Sequence, residues 1–188
     1  MLDARAVVLV EGVSDQVALE TLAARRGRDL GGQGVAVVSM GGIKNIRRLV
    51  EILGPGGRGV RLGGLYDAGE EGDVRRALER VGFRRGRDLT RADMEELGFF
   101  VCVQDLEDEL IRSLGTDVVE QIIDAQGELG SFRTLQRQPA QRERTLEAQL
   151  RRFMGTKGGR KIQYAPLLVD ALDLERVPRP LDRVLGHL

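Results

Sequence analysis

Four short apolar runs rich in Val, Leu and Phe punctuate the first two thirds of the chain: Ala6 to Val10, Val35 to Met40, Arg61 to Tyr66 and Phe99 to Val103. Runs of this length, apolar at successive positions, predict strands buried on both faces, as in a parallel sheet. Between them the period changes. Val17, Ala18, Leu22 and Ala23 recur with helical spacing behind Ser14, a good N-cap residue. Ile43, Ile46, Leu49, Val50 and Leu53 make a second amphipathic stretch, ended by Gly54-Pro55-Gly56-Gly57. Val74, Ala77, Leu78 and Val81 make a third, and a helix from Leu106 to Leu114 follows the last run. Strand and helix alternate four times, so the expected core is an open α/β sheet with right-handed crossovers.

Beyond Gly115 the pattern is helical. Val118, Val119, Ile122 and Ile123 form one stripe; Leu146, Leu150, Phe153 and Met154 a second; Ala165, Leu168, Val169 and Leu172 a third. The expected division is a core over 1–115 and a helical extension over 116–188, packed on or beside it, with a homodimer as the alternative use of the stripes. The Gln-Arg stretch from Gln136 to Arg144 reads as a flexible connection. His187 reads as frayed surface near the C-terminus.

Composition narrows the classes. A chain of 188 residues with 41 % apolar and 31 % charged residues can bury a core without staples. One cysteine excludes an internal disulfide and a Cys-rich zinc module, so any metal question falls on carboxylates. The first apolar run is too short to span a membrane and lacks signal-peptide flanks, so a soluble, cytoplasmic protein without membrane contact is expected. The 29 basic and 29 acidic residues sum to zero, which by itself argues against a nucleic-acid partner.

Ligands of parallel sheets gather at the carboxyl ends of the strands. There the chain reads Glu11-Gly12-Val13-Ser14-Asp15, then Ser39-Met40-Gly41-Gly42, then Asp67-Ala68-Gly69-Glu70-Glu71, then Gln104-Asp105-Leu106-Glu107-Asp108-Glu109. Three of the four ends are acidic and none carries Lys or Arg. So many carboxylates on one edge repel unless a cation offsets them, and oxygen-only donors suit Mg²⁺ or Mn²⁺. Plainer roles compete: Asp15 and Glu71 sit in first helical turns, and Asp105 is a good N-cap. Glu11, at the end of a buried strand beside Gly12, is the hardest to explain structurally. Gly41 and Gly42 before a helix, and Gly12, are candidates to bring backbone N–H groups to a phosphate, or simple tight turns.

The segments VVLVEGVSDQVAL, VSMGG and GLYDAGEE, in that order, resemble the TOPRIM fold shared by topoisomerases, primases, ribosomal-RNA maturation nucleases and the OLD (overcoming lysogenization defect) nucleases. The resemblance covers roughly Ala6 to Leu114. The EG-x-x-D spacing, DLEDEL and the late lysine of GGRKIQYA make the OLD branch the most similar. It implies a Rossmann-like TOPRIM fold with a mainly parallel four-stranded sheet, plus the helical extension. It also implies a Mg²⁺- or Mn²⁺-dependent nuclease with one or two ions. On this resemblance Glu11 is the family glutamate, Asp67 the first aspartate of a D-x-D motif, and Asp15 the aspartate that helps hold a second metal. Gly69 stands where the second D-x-D aspartate is expected, leaving Glu70 or Glu71 to fill the vacancy, with Asp105 and Glu107 as further metal ligands. One metal on Asp67 and Glu71 would resemble topoisomerases; two would resemble OLD nucleases. Lys161 matches the phosphate-stabilising lysine, with Lys157 second.

Only Tyr66 and Tyr164 are available as topoisomerase nucleophiles, and no zinc module is present for a primase. No Gly-x-x-x-x-Gly-Lys segment occurs, so an ATPase is expected from a separate partner or not at all. DNA is the expected substrate and RNA the second. A binding module without turnover is the rival, favoured by Gly69. The zero net charge is a sum of opposites: Ala92 to Ile111 holds seven acidic residues and no basic one, and Arg133 to Lys161 nine basic and two acidic. A basic helical segment could hold a phosphate backbone while the strand ends hold cations.

Overall fold

The computed structural model describes residues 4–83 and 88–187. Strands β1 (Ala6–Val10), β2 (Val35–Ser39), β3 (Arg61–Asp67) and β4 (Phe99–Cys102) form one parallel sheet in the order β2-β1-β3-β4. Every residue of β1 is buried, as its unbroken apolar run requires of a strand covered on both sides. In the middle of β3, Gly64 lies against the Leu9 carbonyl and the Phe99 ring. A Cβ there would come within 2.8 Å of the oxygen and 2.9 Å of the ring, so the inner strands pair closely only because this position is glycine.

Side chains alternate between two cores. Val7 and Leu9 face α2 (Ile46–Leu53), α3 (Glu71–Leu78) and α4 (Arg91–Glu96), packing with Ile46, Val50, Val74, Leu78 and Met94. Ala6, Val8 and Val10 face the other way, toward α1 (Val13–Arg25) and α5 (Leu106–Leu114). The same second core continues through α6 (Thr116–Ala125), α7 (Leu129–Gln136), α8 (Leu146–Met154), α9 (Arg160–Ala171) and α10 (Arg179–His187), by way of Ile123, Phe132, Phe153, Leu168 and Val184. The extension therefore shares the sheet's core: α9 lies on α1, and α10 on β3 and β4.

Two expectations are corrected here. Residues 136–144 form an ordered connection, because the buried Gln149 amide donates to the carbonyls of Gln141 at 2.7 Å and Arg144 at 3.3 Å and accepts from Gln136. His187 is docked rather than frayed. Its ring meets Phe100 edge-on at 6.3 Å and packs on Gly98, whose φ of 89° and missing Cβ leave the room. α4 had no predicted counterpart, since it turns less than twice and buries Met94 alone. Its signature is the Thr90 and Asp93 capping box.

Candidate active site

From β1 the chain crosses to β2 on one side, and the β3–β4 half lies on the other, so the order of strands reverses between β1 and β3. Such a switch point opens a crevice beyond the carboxyl ends of the strands. Leu9 pairs with Gly64, so Glu11 and Asp67 leave the sheet side by side at that crevice. Asp67 itself pairs with Cys102, which brings Asp105 to the same edge. The result is a cleft of about 220 Å³ lined by Glu11, Gly12, Ser14, Asp15, Asp67, Asp105, Glu107 and Lys161.

Local structure sets each carboxylate. Asp15 accepts the Gly12 N–H at 2.8 Å, closing the first turn of α1 and fixing the Glu11-Gly12 bend. Asp105 caps α5 through the Asp108 N–H at 2.9 Å, and its other oxygen takes Arg151 Nε at 2.7 Å. Glu107, only 5 % exposed, accepts Lys161 Nζ at 2.8 Å; the same ammonium stands 3.8 Å from Asp105. Among the described residues, the carboxylates of Glu11, Asp67 and Glu70 receive no hydrogen bond.

Five carboxylates thus share the support of Lys161 and Arg151. Burial, followed by the neighbouring charges of Glu11, Asp105, Asp15 and Glu107, pushes the Asp67 carboxyl up to about 7. Burial raises Asp15 to about 6 against the Gly12 hydrogen bond, and burial together with Glu70 raises Glu11. Burial works against the charge of Lys161, but Glu107 and Asp105 outweigh it and hold its pKa above the ordinary value.

The residues predicted for the site divide. Glu11, Asp15, Asp67, Asp105, Glu107 and Lys161 come together; Glu70 is near enough to Glu11 to raise its pKa. Glu71 turns away, paired with Arg75 at 2.6 Å and with Arg91 of α4, whose hydrogen bonds lower its pKa first among the causes. Lys157 lies 3.9 Å from Glu128, outside the cleft. The N–H groups of Gly12 and Gly42 are engaged by Asp15 and by the Glu11 carbonyl at 3.1 Å, and that of Gly41 leans on Ser39 Oγ at 3.4 Å. Asp108 and Glu109 are held by Arg112, and Glu109 also accepts the Val103 N–H. Arg151 went unforeseen; Ser14, expected as the N-cap of α1, lies inside the first turn behind the N-cap Gly12 and lines the cleft. Nothing in the pattern of α8 distinguishes Arg151 from other polar positions, and 46 residues separate it from Asp105.

The donor set is all oxygen, which fits a hard divalent cation, and three of its carboxyls are raised in a way that a cation would relieve. As the side chains stand, no three of the described Asp, Glu, His or Cys residues converge as a ready-made cage.

Comparison with known proteins agrees with this architecture. Residues 3–61 match the family model described as "Overcoming lysogenization defect protein-like, TOPRIM domain". The fold is that of an OLD-like TOPRIM domain. A mercury-phased structure of the C-terminal region of the Xanthomonas campestris pv. campestris OLD protein superposes with a TM-score of 0.75 at 24 % identity, covering 100 % of this chain and 95 % of that one. An iodine-phased structure of the same region gives 0.72 at 25 % identity, with coverage of 100 % and 95 %. The C-terminal region of the Burkholderia pseudomallei OLD protein gives 0.74 at 19 % identity, with coverage of 98 % and 96 %. No curated protein matches the chain. The OLD-like TOPRIM segment holds Glu11 and Asp15; Asp67, Asp105, Glu107 and Lys161 lie beyond it, on the part that the structural likeness alone covers. This likeness shows the fold. No described helix is long and apolar enough to cross a membrane.

Proposed function

We propose that the chain is a divalent-metal-dependent hydrolase of nucleic-acid phosphodiesters, with DNA as first substrate. The observation that carries this reading is the cleft at the β1–β3 switch point, where Glu11, Asp15, Asp67, Asp105 and Glu107 meet one lysine. Phosphodiester hydrolysis needs an activated water, charge neutralisation on the phosphoryl oxygens and support for the leaving alkoxide. Glu11 and Asp67, which have no donor of their own, would hold Mg²⁺ or Mn²⁺ together with Asp15 and with Glu70, the acidic residue beside Gly69. When bound, such an ion supplies Lewis-acid polarisation and a more acidic water.

The remaining roles belong to the chain. Lys161 carries a full positive charge at the cleft and offers it to the phosphoryl oxygens as their charge grows. Glu107 and Asp105 hold that ammonium in place, and Arg151 holds Asp105. The topoisomerase route finds no nucleophile here. Tyr66 Oη is buried inside the sheet core, and Tyr164 Oη donates to Glu128 at 2.9 Å.

The test is incubation of the protein with supercoiled plasmid and with a structured RNA, each in Mg²⁺, Mn²⁺ or EDTA, beside Glu11→Ala and Asp67→Ala. Expected is nicking that requires metal and disappears in both variants. Metal-dependent nicking that survives both would sink the site assignment. Binding without cleavage of either substrate would favour the non-catalytic module.

A further inference from the structure

A second cleft, of about 300 Å³, lies against the first and shares Asp105 and Lys161 with it. Its other lining residues are Arg144, Ala148, Arg151, Arg152 and Gly155. Arg144 immediately precedes Thr145, the N-cap of α8, and positions 148, 151, 152 and 155 recur at three- and four-residue steps along one face of that helix. The lining of the groove combines two small residues with three arginines and the lysine and aspartate it shares with the first cleft. A groove of small residues and guanidinium groups admits a phosphate chain.

Two of the groove's arginines are uncommitted. Within the basic stretch from Arg133 to Lys161, Arg133 is held by Glu120, Arg160 by Glu128 under the Phe153 ring, and Lys157 stands near Glu128. Arg142 donates to the Arg137 carbonyl. Arg144 and Arg152 are exposed, and neither side chain has an acidic partner among the described residues. Arg137 and Arg142 also lack an acidic partner among the described residues, but they donate to Thr134 Oγ1 and to a backbone carbonyl and do not line the groove; Arg144 and Arg152 place their uncommitted charge where it meets the acidic cleft.

Resting on the hydrolase reading above, we infer that this groove is the track for the phosphodiester backbone flanking the bond to be cleaved, with Arg144 and Arg152 as its phosphate contacts. The helix advances about 1.5 Å per residue, so positions 148 to 155 cover roughly 10 Å, the axial length of about three phosphates of one strand. The track makes substrate length a determinant: a nucleic acid reaches both clefts, and a small phosphodiester reaches the first alone. Arg151 bridges the two by holding Asp105, so it is a positioning residue and is left intact in the test.

The experiment has two independent readouts. Wild-type protein is assayed with bis(p-nitrophenyl) phosphate in Mn²⁺, which requires only the acidic cleft and tests the hydrolase reading. Separately, fluorescein-labelled 16-nucleotide duplex and single-stranded DNA are titrated in Mg²⁺ against a Glu11→Gln background, with and without Arg144→Ala/Arg152→Ala, and binding is read by anisotropy at several salt concentrations. The double variant is expected to weaken duplex binding about tenfold and to lower the slope of log K against log salt by about 1.8, at about 0.9 per lost contact. Arg144→Lys/Arg152→Lys should recover most of the affinity, which a merely structural defect would not. Binding within twofold of the parent, with an unchanged slope, overturns the track. If binding falls as expected but the small ester is not hydrolysed, the track stands and the hydrolase reading falls.

Discussion

Glu70 and Glu71 are consecutive, identical in chemistry, and differently employed. Glu71 leans on Arg75 and Arg91, and those partners lower its pKa. Glu70 has no hydrogen bond among the described residues and contributes charge to the crevice, where Glu11, Asp15 and Asp67 are all raised. The same contrast separates whole regions. On the α3–α4 side Glu71, Asp73 and Glu95 are all answered by arginine or lysine, Asp73 by Lys44 and Arg76. At the carboxyl edge of the sheet, acids outnumber their basic partners. A carboxylate that is answered stabilises the fold; one held near others without an answer is a cost that a proton or a bound cation relieves.

The comparison breaks most visibly at the crevice. Glu11→Gln and Asp67→Asn are each expected to lower plasmid cleavage by about 10³-fold, roughly 4 kcal/mol of transition-state stabilisation, while the melting temperature holds or rises because repulsion is removed. Cleavage rates and thermal melts of the purified variants check both halves. Next in size, Lys161→Met should cost about 10²-fold in cleavage, close to the loss of one electrostatic donor. Unlike the first pair it should also lower stability by about 1–3 kcal/mol, because Glu107 is left buried without its partner. Urea unfolding separates it from Glu11→Gln.

A smaller effect appears on titration without metal. Asp67 and Asp15 bind their protons more tightly when folded, at about 7 and about 6, than at their ordinary value of 3.8. The folded chain therefore carries more protons between those limits, so its stability is greatest at the acid end of the window and falls as pH rises through 6 to 7. After allowance for solvent screening the change from pH 5 to pH 8 is roughly 1–2 kcal/mol, and it should flatten in Asp67→Asn. Melting curves across that range in EDTA measure it. Smallest of all, Glu71→Gln should lose about 1 kcal/mol or less of stability with its ion pairs and leave cleavage within a few-fold. A loss as large as that of Glu11→Gln would show that the two neighbours share one role.

Much of the fold was legible because its signals are local. The run from Ala6 to Val10 became β1, and the period behind Asp105 became α5 from Leu106 to Leu114. The strand-end carboxylates were legible for the same reason, since a parallel sheet collects the residues that follow each run. What escaped is set by side-chain partners far away in sequence. Arg91 takes Glu71 out of the cleft across 20 residues, and Arg151 reaches Asp105 across 46. No periodicity records such pairings. The segment from 136 to 144 reads as a linker by composition, yet the single buried amide of Gln149 orders it.

The central claim is that the unanswered carboxylates of the crevice form a cation site. Calorimetric titration of Mn²⁺ into the metal-free protein at pH 6.5, in two buffers of different ionisation enthalpy, tests it directly. The account predicts binding with release of protons from the raised carboxyls, abolished by Glu11→Gln or Asp67→Asn and retained in Glu71→Gln. No binding up to millimolar Mn²⁺, or binding that is equal in all four proteins, would contradict it.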